Sequence, residues 1–516
     1  MTPPATFEEA IQQIEVLARD RDNLARENQI LWEQLYALRH GHFGSGTESL
    51  TPGQLALFGD LPPAAEEAPA PAPAAAPQPS KKKGHGRAPF PEHLPREVIE
   101  LDVPEDERVC PDCGGPMHPI GEDVAERGHV IPVQLVVHRY VKKKYACPAG
   151  HAVMTAAMPE GVVARGKYEA SVYAFVATTK YADHQPLHRM EGIFKRYGWH
   201  IPKQTMWDLL VTVDGQVAQP ILEQMKKELL AEPVLHSDET PVTMRLEEGK
   251  GKRTVYAWAW RNLQGTGDSK VLIEFRPNRS RAGPLGFLKD WSGTLITDGY
   301  AGYDEVIRRN GIVRAGCMAH ARRKAREALT AGSKRAAELL RPMQRLFWLE
   351  RAMARRAEQR ELSRDDFVTL RREVRERRSR VVWSELCAAV ERLRRDRATL
   401  PKSLLGKTVT YLVNQQEALA AFLADPRIPI HNNDTERDLR HLAVGRNNWM
   451  IFASPRGGKV ACRLYSLVLS CKHSGVDPQA YLEDVLGRVA TTPMSEIASL
   501  TPWGWKAARE ERTPQG

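Results

Sequence analysis

The chain has 516 residues, more than one ordinary domain needs. Its 74 Lys and Arg against 64 Asp and Glu give a net charge of +10, which points to a polyanionic partner without choosing between nucleic acid and a membrane surface. No apolar run approaches the ~20 residues that span a bilayer. The start, Thr2-Pro3-Pro4 followed by acids, carries no signal-peptide pattern, so a cytoplasmic protein is expected. Seven cysteines, an odd number without an export signal, argue against a disulfide framework, and the close pair Cys110/Cys113 asks for a metal.

Residues 6–40 hold neither Pro nor Gly. Leu17, Leu24, Leu31 and Leu38 recur every seven residues as a d seam, with Ile14, Arg21, Asn28 and Leu35 at the a positions. A buried Asn at a fixes register and favours two strands, so a coiled coil is expected over 1–45; the alternative is a lone amphipathic helix. Residues 61–80 contain seven Pro and eight Ala and predict an extended linker. The basic run Lys81, Lys82, Lys83 and Arg87, interleaved with Gly84 and Gly86, suits DNA phosphates or is simply a solvated charge run. The linker is assigned to 46–95.

Over 96–160 a zinc-ribbon-like domain is expected. Cys110 and Cys113, followed by two glycines, form a knuckle for one zinc ion, and Cys147 and His151 complete a four-ligand site. The alternative is a metal-free hairpin with reduced thiols. Alternation through Val130, Val133, Leu135 and Val137 reads as a strand before it. Residues 161–230 read as helices. Leu187–Arg196, a turn at Tyr197-Gly198, and Lys203–Val211 have helix-turn-helix spacing, with Gln204 and Thr205 opening the second helix as candidate DNA contacts; an ordinary helical hairpin has the same spacing.

From 231 the pattern changes. Val234 to Ser237 reads as a strand ending at Asp238, Val255–Trp260 and Lys270–Phe275 as two more, 282–290 as a helix, and Thr294 to Thr297 as a strand ending at Asp298; Ile312–Ala315 is a last strand. That order is the order of a ribonuclease-H-like core, in which the first and fourth strands are parallel neighbours and bring two acids together. Two Mg²⁺ ions ~3.5–4 Å apart, held by oxygen ligands, both activate a nucleophile and stabilise the leaving oxygen of a phosphodiester. Residues 319–425 read as a helical insertion, with 15 Arg against 9 acids in 351–400. In His431-Asn432-Asn433-Asp434-Thr435-Glu436-Arg437, Asn432 or Asn433 caps a new helix, with Glu436 in its first turns and Arg440 one turn on. Taken alone, this segment equally describes a surface helix with an intrahelical ion pair.

The chain resembles the transposases of the insertion sequence 66 family. The residues that carry the resemblance are His236-Ser237-Asp238-Glu239-Thr240, Thr297-Asp298-Gly299-Tyr300-Ala301-Gly302-Tyr303 and Asn432-Asn433-Asp434-Thr435-Glu436-Arg437. Tyr181-Ala182-Asp183-His184, Cys317-Met318-Ala319-His320, Arg446-Asn447-Asn448-Trp449, Asp477-Pro478 and Pro502-Trp503-Gly504-Trp505 support it. The resemblance implies a multidomain α/β protein with a ribonuclease-H-like catalytic core. It further implies that Asp238, Asp298 and Glu436 are the catalytic residues and ligands of two Mg²⁺ or Mn²⁺ ions, and that the helical insertion accounts for the 138-residue gap from Asp298 to Glu436. The core resumes over 426–490 and a tail follows over 491–516. The implied activity is cleavage and strand transfer of DNA, the transposon ends and the target being the substrates. The implied assembly is a homodimer or larger nucleoprotein complex, associated with the bacterial nucleoid and served by companion proteins of the same element. Arg437, Arg440 and Arg446 are expected on phosphates. Cys317 and His320 match a Cys-x-x-His signature whose expected role is structural. Gly150 stands where the family carries the last cysteine of the second knuckle, which leaves His151 as a substitute ligand or the structural Zn²⁺ weakly held or absent. A nuclease of the same fold and an inactive DNA-binding regulator are the rival readings.

Overall fold

The computed structural model describes residues 11, 15–21, 23–24, 27–28 and 30–31, then 135–146, 153–159 and 161–511 without 164–165, 247–250, 264 and 266–267. Cys110, Cys113, Cys147, His151, the linker and the basic run lie outside the described residues. The described positions between 11 and 31 are helical, and the d-position residues Leu17, Leu24 and Leu31 are exposed on the single chain.

Strands β1 (Lys144–Ala146) and β2 (Val153–Thr155) form an antiparallel hairpin with Lys144 opposite Thr155. The strand expected through Leu135 and Val137 is not there: residues 135–143 are irregular. Val136 and Val137, adjacent in sequence, are both exposed, so these residues do not present the buried and exposed faces of a strand in turn. Val130 and Val133 lie outside the described residues.

Four helices follow: α1 (Ala170–Tyr181), α2 (Leu187–Arg196), α3 (Lys203–Val213) and α4 (Gln219–Leu230), the last two joined by a π turn at Asp214–Ala218. The turn after α2 uses Gly198 at φ +82°, a left-handed conformation that a side chain resists. Met190 and Phe194 of α2 and Met206 and Leu210 of α3 are buried, the i, i+4 stripe that makes each helix amphipathic.

Strands β3 (Val234–Arg245), β4 (Lys252–Asn262), β5 (Val271–Arg276), β6 (Thr294–Thr297) and β7 (Val313–Gly316) form one sheet in the order β5-β4-β3-β6-β7. The β3/β4 and β4/β5 pairs are antiparallel; β3/β6 and β6/β7 are parallel. Helices α5 (Ala282–Leu288) and α6 (Asp304–Asn310) make the crossovers. The first and fourth strands are thus parallel neighbours, as expected. One boundary differs: β3 does not stop at Asp238 but runs on to Arg245, pairing with β4 up to Lys252. Beyond the acid, Val242 and Met244 are buried while alternate residues face out, a period-two pattern masked in the sequence by Glu239 and Pro241.

Helix α7 (Met318–Thr330) leaves β7 directly. The expected helical insertion follows as α8 (Ala337–Gln359), α9 (Arg364–Val374), α10 (Arg380–Arg395), α11 (Leu404–Asn414) and α12 (Gln416–Ala424). Its apolar core is continuous with that of α7, through Ala325, Leu340, Leu386 and Val409. The chain returns to the sheet with α13 (Asn433–Trp449) and α14 (Pro455–His473), and ends in α15 (Pro478–Arg488) and α16 (Pro502–Glu510). Edge strand β5 would expose unpaired amides, but α14 covers it: Ile273 N donates to Ser466 Oγ at 2.7 Å and Val271 N to Ser470 Oγ at 3.2 Å. On the same helix Arg463 reaches buried Asp214 of the π turn at 2.6 Å, tying the helical region to the sheet.

Candidate active site

Parallel pairing sets Val234 beside Thr294, Leu235 beside Leu295 and His236 beside Ile296. Asp238 lies two residues beyond the last of these pairs on β3, and Asp298 is the first residue after β6, so both acids stand at the C-terminal end of the parallel pair. Each aspartate is oriented by the backbone: Asp238 Oδ1 accepts from Glu239 N and Asp298 Oδ1 from Tyr300 N, both at 2.9 Å. Burial pushes the Asp238 carboxyl well above its ordinary range, and the charges of Glu239, Asp298 and Glu436 push it further. Glu436 therefore shares the field of the two aspartates despite its distance in sequence.

Glu436 sits in the first turn of α13, half-buried, with Arg323 Nη2 at 3.1 Å from Oε2 and His320 Nδ1 at 3.6 Å from Oε1. Buried Asn432 anchors this helix to the sheet. Its Nδ2 donates to Ser237 O at 2.9 Å, its Oδ1 accepts from Thr435 Oγ1 at 2.9 Å and lies 2.7 Å from His236 Nδ1, and its N donates to Cys317 Sγ at 3.2 Å. Asn432 holds the cap position, but its side chain bonds the sheet rather than a helix N–H, so the expected capping bond is absent. A second anchor lies one turn on, where buried Asp438 accepts from Arg261 Nη1 of β4 at 2.9 Å and lies 2.6 Å from His473 Nε2 of α14.

Sequence reasoning missed two members of this neighbourhood. The Glu239 side chain is 1% exposed. It accepts from Arg279 Nε at 2.6 Å and from Tyr303 OH at 3.1 Å, and the Tyr303 oxygen lies 2.9 Å from Ser237 Oγ. Burial, then the charge of Asp298, raise its pKa against the pull of Arg279. Arg279 Nη2 lies 3.7 Å from Asp298 Oδ2, with its guanidinium 3.9 Å over the Tyr300 ring. The available signal was the strand itself: Ser237 and Glu239 share one face of β3, and Asp238 takes the other.

Of the other sequence-predicted residues, Arg437 and Arg440 are exposed on α13, Arg437 lying 3.4 Å from Asp434. Arg446 is turned inward instead. Its Nη1 donates to Pro241 O at 2.6 Å and to Thr240 Oγ1 at 3.1 Å, which docks α13 on β3. Gln204 is exposed and donates to Asp208 Oδ1 at 3.1 Å, while Thr205 is half-buried.

Comparison with known proteins matches residues 165–460, more than half of the chain, to the Transposase IS66 family. Residues 107–149 match the zinc-finger binding domain of transposase IS66, 466–503 the IS66 C-terminal element, and 30–99 the domain described as Transposase C of IS166 homeodomain. The chain belongs to the IS66 family of transposases. Similar proteins of Sinorhizobium fredii (strain NBRC 101917 / NGR234) include Uncharacterized protein y4jD, 31% identical over 436 residues, which cover 81% of this chain and 82% of that protein. Uncharacterized protein y4qI is 32% identical over 444 residues, which cover 81% of this chain and 77% of that protein. Family membership carries with it a transposase role, a DNA partner and divalent-metal use, and the zinc-finger match points to zinc. That match takes in Cys110, Cys113 and Cys147 and ends two residues before His151. Among the described residues no helix is long and apolar enough to cross a membrane.

Proposed function

We propose that this chain cuts DNA at the ends of its element and joins them to a target, with Asp238, Asp298 and Glu436 as ligands of two Mg²⁺ or Mn²⁺ ions on a ribonuclease-H-like core. The observation that carries the reading is that Asp238 and Asp298 both stand at the C-terminal end of the parallel pair, with Asp298 and Glu436 close enough to raise Asp238. The sheet order, with first and fourth strands parallel and central, supports the fold assignment. The residues fit hard cations: three carboxylates crowd their negative charge into a half-buried site, and oxygen is the donor such ions take. Bound there, the ions supply nucleophile activation and leaving-group stabilisation for phosphodiester chemistry.

The chain's own residues do the rest. Asn432 and Asp438 hold α13 against the sheet and so set where Glu436 stands. Arg279 balances Glu239 and Asp298. Exposed Arg437 and Arg440 take phosphates beside the acids, fixing the strand's position rather than reading its sequence. Helices α2 and α3, with Gln204 and Thr205 at the start of the second, contact the element's ends. Cys110, Cys113 and Cys147, with His151, hold a structural zinc ion. The exposed leucines Leu17, Leu24 and Leu31 pair two protomers, and the complex works on the nucleoid in the cytoplasm with companion proteins of the same element.

The deciding experiment incubates the protein with Mg²⁺ and DNA carrying the element's flanking ends and maps cut and joined strands. Asp238→Asn is expected to lose cleavage while keeping DNA binding in a gel shift. Full cleavage by that variant removes Asp238 from the site, and cutting without joining reduces the protein to a nuclease.

A further inference from the structure

Cys317 and His320 take no part in the chemistry above, yet they stand against it. Cys317 is the residue before α7 and His320 lies in its first turn, so the three-residue spacing sets both on the side facing α13. Cys317 Sγ, a ring nitrogen of His320 and a carboxylate oxygen of Glu436 all lie within 4.8 Å of one another. His320 Nδ1 is a buried polar atom with no hydrogen-bond partner, 3.6 Å from Glu436 Oε1. A buried imidazole nitrogen left unpaired beside a thiol and a carboxylate is costly unless something occupies the space between them.

We infer that Cys317, His320 and Glu436 form a second metal site, for a thiophilic divalent ion such as Zn²⁺. Sulfur, imidazole nitrogen and carboxylate oxygen are a donor set that zinc accepts and magnesium does not favour. Three protein ligands leave one coordination position open. A thiolate and a carboxylate together balance the ion's two charges. The thiolate is the form that ligates, so uptake of the ion displaces the thiol proton to solvent. The guanidinium of Arg323, now 3.1 Å from Glu436, gives way to the ion. The two metal sites share Glu436, and on the reading given above a zinc ion here withdraws that carboxylate from the aspartates. The thiophilic site is thus a brake on the Mg²⁺-dependent reaction.

Co²⁺, which reports thiolate ligation by a charge-transfer band, tests the site in the full-length protein. The native chain, Cys317→Ala and His320→Gln are titrated in parallel, so that any ions held by the zinc-finger cysteines are common to all three. The native chain is expected to bind one Co²⁺ more than either variant, and the lost site to weaken by about 100-fold or more, beyond what losing even an outer-shell partner costs. His320→Gln keeps the test valid if Cys317→Ala folds poorly. Equal stoichiometry and equal charge-transfer intensity in all three overturn the proposal. A separate arm measures how far Zn²⁺ lowers Mg²⁺-dependent cleavage, each variant against its own zinc-free rate; strong inhibition of the native chain only is expected. Loss of one Co²⁺ in the variants without any zinc inhibition of the native chain leaves the site standing and removes Glu436 from the magnesium set.

Discussion

His236 Nδ1 and Asn432 Oδ1 lie 2.7 Å apart, both side chains buried, across 196 residues of sequence. The Asn432 amide is oriented by its other end, because Nδ2 donates to Ser237 O. Oδ1 is therefore the acceptor, His236 carries its proton on Nδ1, and Nε2 is left without a partner. Burial holds the imidazole pKa down to about 4, so at neutral pH the ring is uncharged. One asparagine thus joins the strand of Asp238, the helix of Glu436 and the start of α7.

Removing that side chain should loosen the whole arrangement. In Asn432→Ala the His236 N–H, the Ser237 carbonyl and the Thr435 hydroxyl lose their partners inside the protein, each at ~1–3 kcal/mol. Asn432→Asp keeps the acceptor but loses the donor to Ser237 and buries a charge. Both variants should melt several degrees lower than the native chain and lose cleavage more than DNA binding. A melting temperature unchanged in Asn432→Ala would show that the hub does not hold the helix.

Arg279 should oppose metal binding while stabilising the metal-free protein. It neutralises Glu239, whose side chain is almost fully enclosed, and stands 3.7 Å from Asp298 Oδ2. In Arg279→Ala the Glu239 charge is left unpaired, so the metal-free melting temperature falls. The carboxylate cluster is then more negative, so added Mg²⁺ raises the melting temperature by more than in the native chain. Thermal scans with and without Mg²⁺ read both effects, and an equal metal-induced rise in the two proteins argues against competition between Arg279 and the ions.

How much of this was legible in the sequence follows from the range over which each feature is encoded. Strand β6, Thr294–Thr297, was read residue for residue because an apolar stretch bounded by Gly293 and an acid is a local signal. Helix α2 and the start of α3 were read from their apolar stripes. The parallel neighbours β3 and β6 came from element order alone. The length of β3 was missed because Glu239 and Pro241 interrupt an alternation that only its partner β4 makes visible. The roles of Glu239, Arg279 and Asn432 were hidden because each rests on a polar contact between distant residues, and composition does not encode which distant residue answers which. The docking of Arg446 on β3 was hidden for the same reason, since nothing local pairs it with Pro241 O.

The helical insertion has a polar centre of its own. Arg375 of the turn after α9, 1% exposed, donates from Nε to Glu350 Oε1 at 2.8 Å and from Nη2 to Oε2 at 3.0 Å, and its Nη1 reaches Phe422 O of α12 at 2.6 Å. Burial alone would raise the Glu350 carboxyl, but Arg375 and Arg371 outweigh it and hold it below its ordinary value. Glu350→Ala leaves a buried guanidinium uncompensated, at ~3–5 kcal/mol. Its melting temperature should fall sharply, and a second change, Arg375→Met, should recover part of the loss. No recovery in the double variant would mean that the carbonyl bonds of Arg375, not the charge pair, carry the stability.

Lys180 near the end of α1 sets an alkaline dependence of stability. Burial lowers its pKa from 10.5 to about 8, with the ammonium 5.5 Å over the Tyr181 ring. The folded-state value lies below the unfolded one, so between them the unfolded chain binds the proton more readily and stability rises with pH. The favourable contribution is complete above 10.5 and is lost as pH falls through about 8, leaving a net penalty at neutral pH. Lys180→Met removes that penalty and should melt higher than the native chain at pH 7, by about 1 °C for each kcal/mol recovered in a chain of this length. The gap should close as pH rises across the window, because the native lysine is then neutral in both states. Tyrosines and other lysines titrate in both proteins alike and cancel in the difference. A gap that stays constant from neutral to alkaline pH would trace the gain to the packing of the methionine rather than to the charge it replaces.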